Sequence, residues 1–368
     1  MTHSLFPAES IFPGHPDKIC DAIADSLVAE AARRQARALC GLEVAVHRGS
    51  AFVTGRIACH EAETIPVESI VRDCFRDAGY SREWGPAPDD VRIETELCLG
   101  PLCDSESAFR RFSDDQSIVT GYAIDSPGTN YLPPEHWLVC RLSRRLRTLR
   151  DEHPALRLGP DGKVVLVWDA GRNVVSHLSV SLQQAIGADE IALHRAVRQA
   201  VAVELAECAK HLPGLDPRPP ETIHVNGAGN FEVGGTEGDN GLSGKKLVVD
   251  AYGPRVPIGG GALSGKDFYK ADRAGAILAR RLARTVVQSG VAPECVATLA
   301  IFPGDTDFRL ISLKTPAAEL DPARWAGLFD LSLESAGDRY ATTPDLPAIA
   351  RFGHFTDPAH PWERIVIG

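Results

Sequence analysis

The sequence predicts an α+β protein made of three successive units. Apolar residues recur every four positions at Ile19, Ile23, Leu27 and Ala31, which is the period of an amphipathic helix. They alternate through Val175, Leu178, Val180 and Leu182, as in a half-buried strand. Breaker-rich stretches at 84–90 and 213–220 punctuate these patterns. The units are expected at 1–100, 114–222 and 223–368, with 99–113 a mobile connection between the first two.

In the first unit, Pro16 suits a first helical position and Asp17 a first turn, so a helix is expected over 16–39. Short strands at 43–46 and 51–54 flank His47-Arg-Gly-Ser50, a hairpin candidate. A second helix is expected over 64–78 and a strand over 91–98. The stretch 99–113 is polar and broken at Gly100-Pro101. The second unit is expected to hold a helix over 134–149, a strand pair at 163–169 and 174–182, and a helix over 188–209. The third opens with a glycine-dense run, then a strand at 246–251, a helix from Arg273 to about 289, and strands at 296–301 and 309–313.

A chain of 368 residues buries a sizeable core. Its net charge of −10 argues against broad binding to nucleic acid or to an anionic membrane. An anionic substrate therefore needs a local basic site, and Lys245, Lys246, Lys266, Lys270 and Arg273 supply one. Nine scattered cysteines, odd in number and without metal spacing, fit reduced thiols and a cytoplasmic location. No apolar run reaches membrane-spanning length.

The densest chemistry lies in Gly259-Gly-Gly-Ala-Leu-Ser-Gly-Lys-Asp267, followed by Lys270, Asp272 and Arg273. Glycines let backbone N–H groups approach an anion, lysines carry point charges for phosphate, and aspartates suit a divalent metal. Leu263-Ser-Gly-Lys266 repeats Leu242-Ser-Gly-Lys245, so two similar anion-holding turns are expected. His15 at a helix start is either a capping residue or a donor to an anion. Asp115, Asp239 and Lys163 sit in turn-like contexts where solvated side chains are the plainer reading. Neither a nucleophile elbow nor a phosphate-binding Gly-x4-Gly-Lys-Ser/Thr loop is present. Together these signals point to metal-assisted handling of a polyphosphate without a covalent intermediate.

Glu9-Ser10 with Gly14-His-Pro-Asp-Lys18, Gly238-Asp-Asn-Gly241 and the 259–267 motif resemble S-adenosylmethionine synthetase. Asp115-Gln116, Gly121-Tyr122 and the closing Gly353-His-Phe and Pro361-Trp-Glu363 extend the likeness over nearly the whole chain. The resemblance implies three similar α+β domains in a pseudo-threefold arrangement. It also implies a homodimer, or dimer of dimers, with shared active sites. The implied reaction is attack of methionine sulfur on C5′ of ATP, with tripolyphosphate released and hydrolysed to pyrophosphate and phosphate. Two Mg²⁺ and one K⁺ assist.

By the same resemblance, His15, Lys163, Lys245 and Lys266 are catalytic. Asp161, Gly162, Asn230, Phe231, Asp239, Lys246 and Ala262 join them in holding ATP. Asp115, Asp239 and Lys270 face the acceptor, Asp17 and Asp272 bind Mg²⁺, and Glu43 binds K⁺. The chain departs from the pattern at Arg56, where the family carries a glutamate that meets methionine. The segment 99–113 is short and lacks the family's lid glutamine, while Asn230 and Lys245 replace arginines. Three readings follow: adenosylation of methionine, the same chemistry on a methionine-like thioether or other nucleophile, and a non-catalytic ATP-binding regulatory paralogue.

Overall fold

The computed structural model describes residues 4–342 and 345–364. Its strands, in chain order, are β1 (Leu5–Ile11), β2 (Leu39–His47), β3 (Ser50–Ala58), β4 (Arg92–Gly100), β5 (Ser117–Ile124) and β6 (Leu158–Asp169). They continue with β7 (Val174–Gln184), β8 (Ile223–Val225), β9 (Gly241–Leu242), β10 (Glu294–Ile301), β11 (Arg309–Lys314) and β12 (Glu319–Leu320). Among the described residues these make three four-stranded sheets, ordered β1-β6-β7-β8, β12-β11-β10-β5 and β4-β3-β2-β9.

Each sheet draws strands from more than one of the three sequence segments. Leu5–Ile11 pairs antiparallel with β6, placing Ile11 opposite Lys163. Strand β5 pairs antiparallel with β10, and the two-residue β9 docks on β2. These crossings bring the first turn of the first helix beside the 161–163 and 241–246 segments.

The helices are α1 (Pro16–Arg34), α2 (Val67–Ala78), α3 (Asp104–Ala108), α4 (Pro134–Glu152), α5 (Glu190–Cys208) and α6 (Gly235–Gly238). After them come α7 (Leu247–Asp250), α8 (Ala271–Gln288), α9 (Pro322–Ala326), α10 (Leu333–Tyr340) and α11 (Leu346–Phe352). Helix α1 follows its four-residue period, burying Ile19, Ile23, Leu27 and Ala31 completely. It stops at Arg34, short of the expected 39, because Leu39 already pairs with Ala58 in the β2–β3 ladder. A main core joins α1, α4 and α5 to two of the sheets; a second packs α8 against β5, β10 and β11.

One further expectation changes. The stretch 246–251, read as a strand from Val248-Val249, is the single helical turn α7. Its Asp250 is buried against the ammonium of Lys18 in α1, so the tertiary ion pair overrides the β-branched preference. The segment 99–113 is docked at both ends: Glu106 pairs with Arg56, and buried Arg110 reaches Asp267 Oδ1 at 2.9 Å and the Ala38 carbonyl at 2.9 Å. All nine cysteines are free thiols.

Burial pushes the imidazole of His136, inside α4, down to about 4 from its ordinary 6.5. Between those pH values the unfolded chain takes up a proton at this position and the folded chain does not. Its contribution to stability is therefore present above pH 6.5 and lost as pH falls towards 4. His136→Gln flattens the stability profile there by up to about 1.4 kcal/mol per pH unit. Chemical unfolding of both proteins at pH 7 and 5 measures the difference.

Candidate active site

Helix α1 begins with His15 as its N-cap, and the His15 Nδ1 accepts the Asp17 backbone N–H at 3.2 Å. Burial pushes this imidazole down to about 4, with Asp17 opposing and Lys246 adding to the shift. At neutral pH the ring is uncharged, and with Nδ1 accepting, its proton sits on Nε2. Asp17 is buried and accepts the Leu242 N–H at 3.0 Å. Lys246 lies 2.5 Å and Lys245 3.7 Å from its carboxylate. Burial alone would raise the Asp17 carboxyl, but the Lys246 ammonium and the Leu242 N–H outweigh it and hold it low.

Two further carboxylates on α1, Asp21 and Asp25, extend this row at four-residue spacing, and sequence reasoning missed both. Asp21 accepts the Gly244 N–H at 2.8 Å, and Asp25 accepts the Gly265 N–H at 2.9 Å. Gly244 and Gly265 are the glycines of the two Leu-Ser-Gly-Lys turns, and both have positive φ, 73° and 85°. Those N–H groups therefore hold buried carboxylates rather than a substrate anion. What the turns present outward is the lysine that follows each glycine. Asp25 also clamps fully buried Arg273 at 2.7 Å, fixing the start of α8. Periodicity gives no signal for them: Asp17, Asp21 and Asp25 lie on the face of α1 opposite the apolar row, where a solvated carboxylate is the ordinary expectation.

A cleft of about 420 Å³ opens beside His15 and is lined by Asp161, Gly162, Lys163, Asn230, Phe231 and Asp239 among others. Every one of these was singled out from the sequence. Asp161 is buried, accepts the Gly235 N–H at 2.7 Å, and has its carboxyl raised to about 6 by that burial. Lys163 pairs with Glu9 at 2.6 Å across the β1–β6 ladder.

The second group surrounds a recess of about 510 Å³ lined by Asp115, Ser117, Gly259, Gly260, Gly261 and Asp272. Lys266 and the Ser117 hydroxyl both bond Asp272 in the first turn of α8. A Cβ on Gly261 would fall 2.0 Å from the Asp272 carboxyl carbon, so a larger residue there would push aside the carboxylate that Lys266 and Ser117 hold. Lys270 pairs with Asp114, and Asp115 is exposed. The two groups meet where Gly244 packs on Ala262. Glu43, exposed on β2, accepts the Ser243 hydroxyl at 2.8 Å.

The Arg56 guanidinium grips Glu106 of α3 through two bonds of 2.9 Å, and donates to the carbonyls of Cys98 at 3.1 Å and Pro101 at 3.0 Å. The Arg56 contact holds the Glu106 carboxyl down at about 2. The positive charge read from the sequence is thus matched by a carboxylate of the connecting segment.

Residues 3–98 match the family model described as S-adenosylmethionine synthetase, N-terminal domain, and residues 233–364 match its C-terminal domain. An S-adenosylmethionine synthase of Corynebacterium kroppenstedtii is 32% identical, with 99% of this chain and 97% of that protein covered. The chain belongs to the S-adenosylmethionine synthetase family. A synthase of Petrotoga mobilis is 31% identical over the same shares. An unusual S-adenosylmethionine synthetase from Campylobacter jejuni superposes with a TM-score of 0.86 at 25% identity, covering 98% of this chain and 97% of that one. The fold is therefore that of the S-adenosylmethionine synthetases, a family of ATP-dependent transferases.

The synthetase family implies Mg²⁺ and K⁺. No cluster of three metal-binding side chains exists among the described residues. Two separate carboxylates, Asp17 and Asp272, each bear a lysine ammonium where a cation would sit. That arrangement fits Mg²⁺, which is held through one or two carboxylates together with substrate phosphates rather than by a protein cage. Among the described residues no helix is long and apolar enough to cross a membrane.

Proposed function

We propose that the chain transfers the adenosyl group of ATP to the sulfur of methionine. The thioether lone pair attacks C5′, the C5′–O bond breaks, and tripolyphosphate leaves with the bonding pair and is then cleaved to pyrophosphate and phosphate. A thioether needs no general base, so the protein's tasks are alignment and stabilisation of the departing oxygen. The observation that carries this reading is the single cleft shared by His15, Asp161, Lys163, Phe231 and Asp239, beside the Asp17–Lys245–Lys246 group.

Phe231 and Asn230 would hold the adenine end of ATP, and Asp161, Gly162 and Ala262 would flank it. The Nε2–H of His15 would donate to the departing oxygen. Lys163, Lys245, Lys246 and Lys266 would neutralise the phosphates, releasing Asp17 and Asp272 to Mg²⁺, and Glu43 would hold K⁺. When bound, Mg²⁺ would neutralise charge building on the polyphosphate. Asp115, Asp239 and Lys270 would orient methionine. Ile118 and Phe302 are exposed beside the Asp272 recess, an apolar rim suited to a second copy completing the site.

Methionine is favoured over an altered acceptor because Arg56 is already neutralised by Glu106, leaving no free cation to repel the ammonium. Arg56→Glu sets two carboxylates against each other, frees α3, and raises KM for methionine about tenfold, equivalent to ~1.4 kcal/mol. Arg56→Glu with Glu106→Arg restores it. Improved use of methionine by the single variant would mean that Arg56 meets the amino-acid head. The reading itself is tested by incubating the protein with ATP, Mg²⁺, K⁺ and methionine and weighing the products by mass spectrometry. S-adenosylmethionine with phosphate and pyrophosphate is expected; ATP binding without any product would leave the regulatory paralogue.

A further inference from the structure

We propose a second anion site, taking a multivalent phosphate, in the arginine-lined cavity behind the loop that carries His15. The cavity measures about 340 Å³ and is walled by Phe12, Pro13, Gly14, Gly159 and Pro160 on one side. Arg147 and Arg150 of α4 and Arg351 of α11 face it from the other. A smaller recess shares Pro13, Arg147 and Arg351 with it and adds Arg144. Three guanidinium groups thus face one hollow, against two carboxylates of its lining, Asp77 and Asp151, with Arg144 at the adjoining recess, in a chain whose net charge is −10.

Their charge is poorly answered. Arg150 is half-buried and donates to the Gly79 carbonyl at 2.6 Å; among the described residues no carboxylate lies within ion-pair distance of it. Arg144 donates to the Thr356 hydroxyl at 2.6 Å and the Phe352 carbonyl at 3.4 Å and lies over the Phe352 ring, 5.1 Å from its centroid; among the described residues no carboxylate lies within ion-pair distance of it. Arg147 reaches Asp151 at 3.5 Å, and Arg351 reaches Asp77 at 2.8 Å. Both acids face solvent, their side chains 73% and 58% exposed, where an ion pair contributes little. Half-buried guanidinium groups with unspent N–H donors, in a hollow of ligand size, suit phosphate oxygens in bidentate geometry.

The wall of this cavity is one backbone thick towards the candidate active site. A Cβ on Gly14 would stand 2.3 Å from the Pro160 carbonyl oxygen, and the Tyr80 hydroxyl holds the Gly14 carbonyl at 2.8 Å. The next residues along each strand of the wall are His15 and Asp161, which line the cleft on its far side. An anion bound behind the wall therefore presses on the loops that carry the proposed nucleotide site.

Calorimetric titration of inorganic pyrophosphate into the full chain, with Mg²⁺ present, tests this. Two classes of site are expected in the natural protein. Lys245→Met with Lys246→Met removes the class in the cleft and leaves the other unchanged. Arg147→Gln with Arg150→Gln weakens that remaining class about tenfold or more. If the double arginine variant fails to fold, judged by circular dichroism, Arg147→Glu alone gives the same readout, since its side chain is partly exposed. A single class abolished by the lysine changes, or an arginine variant that titrates like the natural protein, would overturn the proposal. Failure to make S-adenosylmethionine would leave this two-class titration untouched, so the two ideas fail separately.

Discussion

His15→Asn lowers the rate of adenosyl transfer by about two to three orders of magnitude, the usual cost of removing one hydrogen-bond donor aimed at developing negative charge. The expectation rests on geometry. The ring is fixed from behind by the Asp17 N–H, so the face turned to the cleft is the Nε2 side. Asparagine still caps the helix, and α1 and the fold are retained. Loss in kcat with ATP affinity within a few-fold identifies an interaction made in the transition state. A matching rise in KM for ATP, with kcat unchanged, would reduce His15 to a ground-state contact. Single-turnover quench with equilibrium ATP binding separates the two.

Asp17→Asn has the second large effect, because this one carboxylate serves three neighbours. It holds the Leu242 N–H, anchors Lys246, and lies within ion-pair distance of Lys245. The amide keeps the size and a hydrogen bond, but it leaves two ammonium groups unanswered and offers a weaker oxygen to Mg²⁺. Activity falls about a hundredfold or more, and the Mg²⁺ concentration for half-maximal rate rises about tenfold. Initial rates across a Mg²⁺ series check both. An unchanged Mg²⁺ requirement would place the metal elsewhere.

The parts of the site legible in the sequence were those whose chemistry is local. Pro16 and Asp17 announce a helix start, glycine triplets announce close backbone approach, and a lysine after each Leu-Ser-Gly marks an outward charge. Long-range partners were hidden. Strand β1 carries Pro7 and two polar residues, and only its pairing with β6 makes it a strand. The Asp21 and Asp25 carboxylates look like an exposed helix face until the two turns, far along the chain, fold over them. Arg56 reads as an uncompensated cation because Glu106 lies across a connecting segment whose docking no local pattern encodes. Val248 and Val249 signal a strand; the buried Lys18–Asp250 pair decides for a helical turn.

The acceptor is the claim on which the rest depends. Equal concentrations of methionine and its deaminated analogue, 4-(methylthio)butanoate, offered together with ATP, Mg²⁺ and K⁺, allow the two adenosylated products to be counted by mass spectrometry. With Arg56 neutralised by Glu106, S-adenosylmethionine is the dominant product. Dominance of the deaminated sulfonium would contradict this account and return Arg56 to the acceptor's carboxylate.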